Sequence, residues 1–406
     1  MKLSRKDYNN SITVQVMDLK DLADLQSEKC FDLDKWKGVI SPETAAKIKK
    51  IIIVGCGDSY SAAGATVPGI KELAGIEKVF APDIMDFCRF YSEKKILRDF
   101  SVDEVLVAAI SFSGSAERVA EVLKKADDMG IGSILITRNP ESKGAKAAKY
   151  VFNVDTPDGI NTPGLRSYYA NMVGIFSLAA YIGTCRRHLT PDQFFGYGKD
   201  ISRYTSEFMS SIDEIDEQAF AFAEKVKDFD KFELIADYNE GYSAQFVEQK
   251  FIECSGVYCD HTNSEEFAHI SMMYRQPFTF GMIIMVNEAD RSLSRMKDTI
   301  NGNVSQRRPT LVVSDCDPET FMEFKAIDAS KIQSAYKPEG EVANSNLAEK
   351  NRDCLNVLKV IKAPYQWMSP LMDFIPGSLV AGYHAVINDK NFFAGRYDAV
   401  NMKWIG

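Results

Sequence analysis

The sequence is poor in histidine, and its few histidines stand apart. Only four occur in 406 residues, at positions 188, 261, 269 and 384, and no two of them form an HxH or HxxxH pattern. Those spacings bring two ring nitrogens to one metal ion, so their absence argues against a zinc enzyme. The eight cysteines are scattered without a CxxC pair, which is typical of reduced thiols in protein cores. We therefore expect no metal site and no disulfide framework.

Long apolar runs and excess positive charge are also lacking. Nowhere do about 18 apolar residues follow one another without a charge, and the first 20 residues do not resemble a signal peptide. This pattern predicts a cytoplasmic protein that has no membrane partner. Lys and Arg number 48 against 57 Asp and Glu, a net charge of −9. Such a chain offers no broad positive field to a nucleic acid, although backbone amides at a helix start still bind a small anion.

Two stretches of the chain repeat the strand and helix alternation of an α/β protein. The apolar segments IIIV, VLVAAI and SILIT each precede a turn and a helical span. Fully apolar strands of this length predict parallel sheets covered by helices on both faces, a three-layer, flavodoxin-like arrangement. The same order restarts at FELIADYNEGYSAQFVEQKFIECSG, and DSYSA at 58–62 is echoed by EGYSA at 240–244, which suggests a duplication. The predicted organisation is a helical lead-in over 1–48, a first α/β domain over 49–200, a connecting helix over 201–228, a second α/β domain over 229–390 and a tail over 391–406.

Two serine-rich turns follow strands of the first domain. The first contains Gly57 and Ser59, and the second contains Ser111, Ser113 and Ser115. In open parallel sheets ligands bind beyond the carboxyl ends of the strands, where hydroxyls and helix amides together suit a phosphate monoester. The alternative is that each serine only caps the next helix. The dinucleotide fingerprint and the P-loop motif are both absent, so we expect no nucleotide cofactor.

A helix in the second domain carries a lysine and a glutamate one turn apart. In AQFVEQKFIEC, Lys250 and Glu253 lie on the ridge next to the apolar stripe. One interpretation is a solvated ion pair of small energetic value, and the other is a general base held beside a cation. His269 follows in EEFAHIS, where a single histidine is more often structural than catalytic.

Taken together, these motifs resemble the SIS (sugar isomerase) family in its double-domain form, as found in the isomerase half of glucosamine-6-phosphate synthase and in fructosamine-6-phosphate deglycases. CGDSY at 56–60 is similar to the CGTSY turn of the family, and SFSGS at 111–115 is similar to its SxSGET turn. The family carries K-x-x-E followed sixteen residues later by a histidine, and 269 − 253 = 16 here. The resemblance covers about 49–406 and implies two tandem SIS domains.

The resemblance also implies roles for individual residues. Gly57 and the serines at 59, 111, 113 and 115 would bind the sugar phosphate, and Arg166 and Ser167 would line the same pocket. Glu253 would move a proton between C1 and C2, and Lys250 would orient the open-chain substrate. His269 would open the sugar ring from a partner subunit, which implies a homodimer. Lys403 matches the C-terminal lysine of the family more loosely.

Three departures from the family pattern bear on the substrate. Ala116 stands where the second turn usually has threonine, no HGP follows His269, and Arg396 and Lys403 are spaced differently in the tail. The glutaminase domain of the synthase, with its N-terminal cysteine, is not found in the sequence, so we expect no nitrogen transfer from glutamine.

The function predicted from these residues is isomerisation of an amino-sugar phosphate or fructosamine phosphate, coupled to deamination or deglycation. One alternative is a simple aldose–ketose isomerase of sugar phosphates. A second alternative is a sugar-phosphate sensor without turnover, although such proteins generally carry a DNA-binding helix-turn-helix.

Overall fold

The computed structural model describes residues 5–160, 162–322, 350–351 and 353–393. The chain forms two compact units. The first unit holds residues 14–209 and 370–372. The second unit holds residues 5–13 together with the described parts of 210–369 and 373–403.

The first unit is built on a parallel sheet of five strands in the order β2-β1-β3-β4-β5. Its two central strands, KIIIV and VLVAAI, are buried at every position, as expected for a sheet covered on both faces. The strands are β1 (Lys50–Val54), β2 (Lys78–Phe80), β3 (Val105–Ile110), β4 (Gly132–Thr137) and β5 (Tyr150–Asn153).

Ten helices precede, connect and follow these strands in chain order. The most deeply buried is α9, which follows the last strand of the sheet and is buried on nearly all sides. The helices are α1 (Ser11–Cys30), α2 (Leu33–Val39), α3 (Pro42–Lys47), α4 (Asp58–Ala74), α5 (Ile84–Phe90), α6 (Glu93–Leu97), α7 (Glu117–Asp128), α8 (Lys143–Ala147), α9 (Arg166–Cys185) and α10 (Pro191–Ser210).

The second unit has a parallel sheet of the same topology, with the strand order β10-β9-β8-β6-β7. Its strands are β6 (Lys231–Ala236), β7 (Tyr258–Thr262), β8 (Gly281–Met285), β9 (Thr310–Ser314) and β10 (Leu355–Lys359). Its described α-helices are α11 (Ile212–Lys225), α12 (Glu240–Ser255), α13 (Ser264–His269), α14 (Leu293–Ser305) and α15 (Phe374–Ile387).

The two units place corresponding helices in corresponding positions. In each, the helix after the first strand packs on the α-helix that follows the last strand of the sheet, α4 on α9 and α12 on α15. The two similar pentapeptides begin these helices, since Asp58 starts α4 and Glu240 starts α12. The echo predicted from the sequence therefore marks the same point of one repeated fold.

The lead-in is helical as predicted, and Ser41 caps α3 with Pro42 at its first position. The single connecting helix predicted over 201–228 is wrong. The chain forms α10 and α11 there, interrupted at Ser211, whose φ of −99° and ψ of 6° leave the helical path. A Ser210–Ser211 pair favours such an interruption, because serine hydroxyls compete for backbone hydrogen bonds.

All eight cysteines are free, and six of them are buried, in agreement with the expectation of reduced core thiols. None of the described helices combines the length and the apolar character needed to cross a membrane.

Candidate active site

The first candidate site lies at the carboxyl edge of the first sheet, where the strand order reverses. After β1 the chain adds β2 on one side of β1 and then β3 on the other side. β1 pairs with β3 up to Val54 and Ala109. The turns that follow these two strands are therefore neighbours. This position is the switch point at which open α/β sheets bind their ligands.

The turn after β1 requires glycine at two positions. A Cβ on Gly55 would lie 2.4 Å from the carbonyl carbon of Ser59, so the backbone can fold back only without a side chain. Gly57 has a φ of +54° and precedes α4. These two glycines bring Ser59 to the first turn of α4, where it is partly exposed.

The turn after β3 is stabilised by hydrogen bonds of its own serines. The amide of Gly114 donates to the Ser111 hydroxyl at 3.1 Å, and the hydroxyls of Ser113 and Ser115 lie 2.8 Å apart. Gly114 has a φ of +63°, and a Cβ there would lie 2.0 Å from the Ser142 hydroxyl. Ser111 is buried, whereas Ser113 and Ser115 are exposed and can meet a ligand.

None of these serines caps the following helix. The cap positions of α4 and α7 are Gly57 and Ala116, and neither helix has a side-chain cap hydrogen bond. The interpretation of the serines as helix caps is therefore wrong. Two helix starts without side-chain caps, next to exposed hydroxyls, offer backbone amides to an anion, and the first turn of each helix also carries a carboxyl group, Asp58 in α4 and Glu117 in α7.

Arg166 and Ser167 begin α9, and the structure places them at the same edge of the sheet. Because Gly183 of α9 lies against the Leu73 carbonyl of α4, the C-terminal ends of both helices meet and their N-terminal ends point to the same edge. The Arg166 side chain is nevertheless buried. Its Nη2 donates to the Pro157 carbonyl at 3.2 Å, and its Nε lies 3.6 Å from an Asp18 carboxylate oxygen.

The second candidate site is on α12 of the second unit. The Lys250 side chain is 0% exposed, so the expectation of a lysine at the border of the buried face, in a solvated ion pair, is wrong. Its Nζ donates to Glu253 Oε2 at 2.5 Å and lies 4.5 Å from the centre of the Phe246 ring. The Glu253 carboxylate keeps 29% of its side-chain surface exposed. A buried ammonium thus holds a carboxylate that a ligand can reach.

The contacts described for His269 do not include Lys250 or Glu253. It ends α13, is exposed, and its Nε2 lies 2.9 Å from Glu265 Oε1. The Glu265 carboxylate also lies 2.8 Å from Arg295, and the hydrogen bond to His269 lowers the pKa of Glu265. Lys403 and Arg396 lie outside the described residues.

One group of side chains in the second unit has donor atoms close enough to hold a metal ion. Glu248, Asp260 and His261 each offer one ligand atom, all within 4.8 Å of one another. The His261 Nδ1 already bonds to Glu248, and Asp260 is exposed. Histidine spacing did not reveal this group, because Glu248 comes from a helix and the other two from the neighbouring strand β7.

The switch point of the second sheet carries carboxyl groups instead of serines. Glu240, Asp290 and Asp373 lie there and are buried wholly or in part. The sequence analysis did not single out these carboxyls, although Glu240 occurs in the repeated pentapeptide. The two switch points therefore differ in charge while sharing one topology.

Comparisons with known proteins identify the fold. Residues 45–182 match the family model of the SIS domain, which confirms the resemblance for that segment. No curated protein matches the sequence.

Solved structures match over both units. The C-terminal domain of glucosamine-fructose-6-phosphate aminotransferase from Francisella tularensis is 17% identical, with a TM-score of 0.76 over 96% of this chain and 99% of that chain. Glucosamine-6-phosphate deaminase from Thermotoga maritima is 13% identical, with a TM-score of 0.60 over 94% and 96%. Tagatose-6-phosphate ketose/aldose isomerase from Escherichia coli is 10% identical, with a TM-score of 0.63 over 97% and 96%. At these identities the similarity establishes the fold, and the prediction of two tandem α/β domains is confirmed, the first of which matches the SIS domain model.

Proposed function

We propose that this protein, whose two units share the SIS fold, is an enzyme acting on an amino-sugar phosphate or a fructosamine phosphate. The reaction is an aldose–ketose isomerisation coupled to loss of the amine. The observation that carries the proposal is the Lys250–Glu253 pair, in which a fully buried ammonium stands 2.5 Å from a carboxylate that keeps 29% exposure. A carboxylate held in one place and open to a ligand is what proton transfer at carbon requires.

The serine turns of the first unit supply the phosphate anchor in this proposal. The exposed hydroxyls of Ser59, Ser113 and Ser115 donate to phosphate oxygens, with Ser111 fixing the second turn from below. Ala116 has no hydroxyl at the usual threonine position, and Ser115 stands next to it. An anchor made of hydroxyls and amides tolerates the net charge of −9, because it acts only at short range.

Proton transfer between C1 and C2 is the step assigned to Glu253. Its carboxylate removes a proton from the carbon bearing the amine in the open-chain sugar and returns it to the carbonyl carbon, while the nitrogen loses one proton and the carbonyl oxygen gains one, which converts the carbon bearing the amine into an imine. Water then adds to the imine carbon, and the amine leaves with the proton it gains. Lys250 keeps Glu253 oriented. A general base such as Glu253 typically increases the reaction rate by a factor of about 10² to 10⁴.

His269 completes the proposed site from a second copy of the chain. Its ring is exposed at the end of α13, where its described contact is Glu265, so a partner subunit can receive it. In this proposal the protein is a homodimer, and each site uses Glu253 of one chain and His269 of the other.

The direct test compares the wild type with Glu253→Gln on glucosamine 6-phosphate and on a fructosamine 6-phosphate. We expect a loss of about 10² to 10⁴ in turnover with the secondary structure retained. Glu224→Gln, which changes an exposed carboxylate on α11, is the matched control and should keep full activity. Unchanged turnover in Glu253→Gln refutes the assignment.

Product analysis separates the two enzyme classes. Deamination or deglycation releases ammonia or a free amine with the sugar phosphate, whereas simple isomerisation of a neutral sugar phosphate releases none. The fold shared with a tagatose-6-phosphate isomerase makes the second outcome the specific rival. Binding of a sugar phosphate without any product would instead support a sensor.

Subunit mixing tests the shared site. Glu253→Gln and His269→Asn homodimers should each be inactive, and random mixing should restore about a quarter of wild-type activity, because half of the dimers then hold one intact site. No recovery after verified subunit exchange would place both residues in the same chain's site.

A further inference from the structure

The switch point of the second sheet is a closed cluster of acidic and amide side chains. The loops after β6, β8 and β9 meet there with the start of α15. Asn287 ties the loops together, because its backbone amide donates to Asp290 Oδ2 at 2.6 Å and its side-chain Oδ1 accepts from the Asp315 amide at 3.2 Å. Its Nδ2 donates to Asp373 Oδ2 at 2.7 Å.

Two carboxylate oxygens in this cluster, Glu240 Oε2 and Asp373 Oδ1, are buried and make no hydrogen bond of normal geometry. Glu240 Oε1 accepts from the Ser369 hydroxyl, and the Ser243 hydroxyl also interacts with the Glu240 carboxyl. Glu240 and Asp373 are only 1% and 2% exposed, respectively. Buried carboxylate oxygens without partners are costly unless a proton, a water or a bound ion satisfies them.

The surroundings add negative charge and no cation. Asp290 and Asp315 both raise the pKa of Asp373, after burial and the neighbouring Glu240 carboxyl. Within the part of the chain that the structure describes, Glu240, Asp290 and Asp373 form no ion pair with lysine, arginine or histidine. Two buried carboxyls that repel each other need a positive partner or a proton.

We infer that Glu240 Oε2 and Asp373 Oδ1 bind one small monovalent cation, of the class of K⁺, Na⁺ or NH₄⁺, at the switch point of the second sheet. The oxygens are enclosed, which excludes a large organic ligand. The carboxylates of this cluster do not bring three ligand atoms within 4.8 Å, as a group at Glu248 does, so a divalent ion has too few charged ligands. One cation together with one proton neutralises the pair.

This site is independent of the proposed catalytic function. It mirrors the serine turns of the first unit, because the same position of a repeated fold takes an anion in one unit and a cation in the other.

The test measures thermal unfolding of the full chain in about 0.15 M chloride salts of choline, sodium, potassium and ammonium, which hold ionic strength constant. Choline is too large for an enclosed site. At about pH 8 we expect one small cation to raise the melting temperature by roughly 2 to 6 °C over choline. The increase should shrink near about pH 5.5, where protons compete for the same oxygens.

Glu240→Gln and Asp373→Asn should each abolish the cation-dependent increase, and Glu224→Gln should preserve it. Crystals soaked in rubidium chloride should show an anomalous peak between Glu240 and Asp373, a readout that needs no variant to fold. Equal melting temperatures in all four salts together with no peak would overturn the inference and leave a carboxyl pair that shares a proton.

Discussion

At position 250 the side chain of a lysine is fully buried, and its charge decides how changes at this site affect stability. Removing one partner of a buried pair leaves the other charge in a medium that solvates it poorly. Lys250 is the enclosed partner, whereas Glu253 reaches water with 29% of its side chain. Substitution of Glu253 and substitution of Lys250 should therefore change the free energy of unfolding by different amounts.

We predict that Glu253→Gln lowers the free energy of unfolding by about 1 to 3 kcal/mol, because it removes the countercharge of a buried ammonium. Lys250→Met keeps the length of the side chain without the charge and should change stability by less than about 1 kcal/mol. Urea denaturation measures both values.

The double variant Lys250→Met, Glu253→Gln is the control for catalysis. It should recover the stability lost in Glu253→Gln and remain inactive, which separates loss of chemistry from loss of fold. A double variant as unstable as Glu253→Gln would contradict the account of the pair as a buried charge and its partner.

Residue types and spacing predicted the serines, Lys250 and Glu253, but not their environments. Helical periodicity placed Lys250 at the border of the apolar face, because lysine is rarely buried. Its burial follows from the packing of β6, β7 and α15 on α12, and α15 lies more than a hundred positions away in the chain. The pairing of Glu240 with Asp373 was hidden for the same reason.

Among the elements, the contact of α4 with α9 is set by one glycine. A Cβ at Gly183 would lie 2.0 Å from the Leu73 carbonyl oxygen, a backbone atom that cannot turn away. The two helices therefore approach until their backbones touch, which fixes the N-terminal ends that carry Ser59 and Arg166.

We predict that Gly183→Ala destabilises the protein by about 1 to 3 kcal/mol through forced separation of α4 and α9. Gly196→Ala on α10 is the matched control, since a Cβ there meets nothing within 4 Å. That substitution should stabilise by about 0.5 to 1 kcal/mol, because glycine loses more backbone entropy on folding than alanine. Equal effects on thermal unfolding would show that the close approach is unimportant.

Strand prediction succeeded in the centre of each sheet and was incomplete at its edges. The mainly apolar β1, β3, β4 and β6 were recognised, whereas β7, with the sequence YCDHT, was not. An edge strand has one exposed border and needs no continuous apolar run, so its sequence resembles a loop. The interruption at Ser211 was missed because both sides of it have helical periodicity.

For the whole molecule, repetition of one topology was the strongest prediction from sequence. Two pentapeptides suggested it, and both stand at the start of the helix that follows the first strand of their unit. The sequence could not predict that the two switch points differ in charge, because Asp373 lies more than a hundred positions after Glu240 in the chain.

The buried titratable groups of the second unit predict an optimum of stability in weak acid. Burial raises the pKa of Glu240 to about 7 and raises that of Asp373, so the folded state binds extra protons. Both contributions are full below the ordinary carboxyl pKa; that of Glu240 is lost as the pH rises through about 7, and that of Asp373 is lost in the same direction. Burial lowers the pKa of His384, so its contribution is lost as the pH falls below about 6.5.

We therefore expect the melting temperature in choline buffers to peak near about pH 5 and to fall by several degrees toward about pH 8. Glu240→Gln should flatten the alkaline side of the profile and leave the acid side unchanged. A profile that rises steadily from about pH 5 to pH 8 would show that these carboxyls are ionised in the folded protein.

Residues 5–13 belong to the second unit, although the whole first unit follows them in the chain. Arg5 bonds to the Asp213 carbonyl 208 residues later, Tyr8 packs on Phe220, and Ile12 lies against Gly382 of α15. During synthesis this segment emerges before residues 14–209, and its partners emerge after them. Residues 14–209 can thus begin to fold before the second unit, which can pack on residues 5–13 only after α11 and α15 have been made.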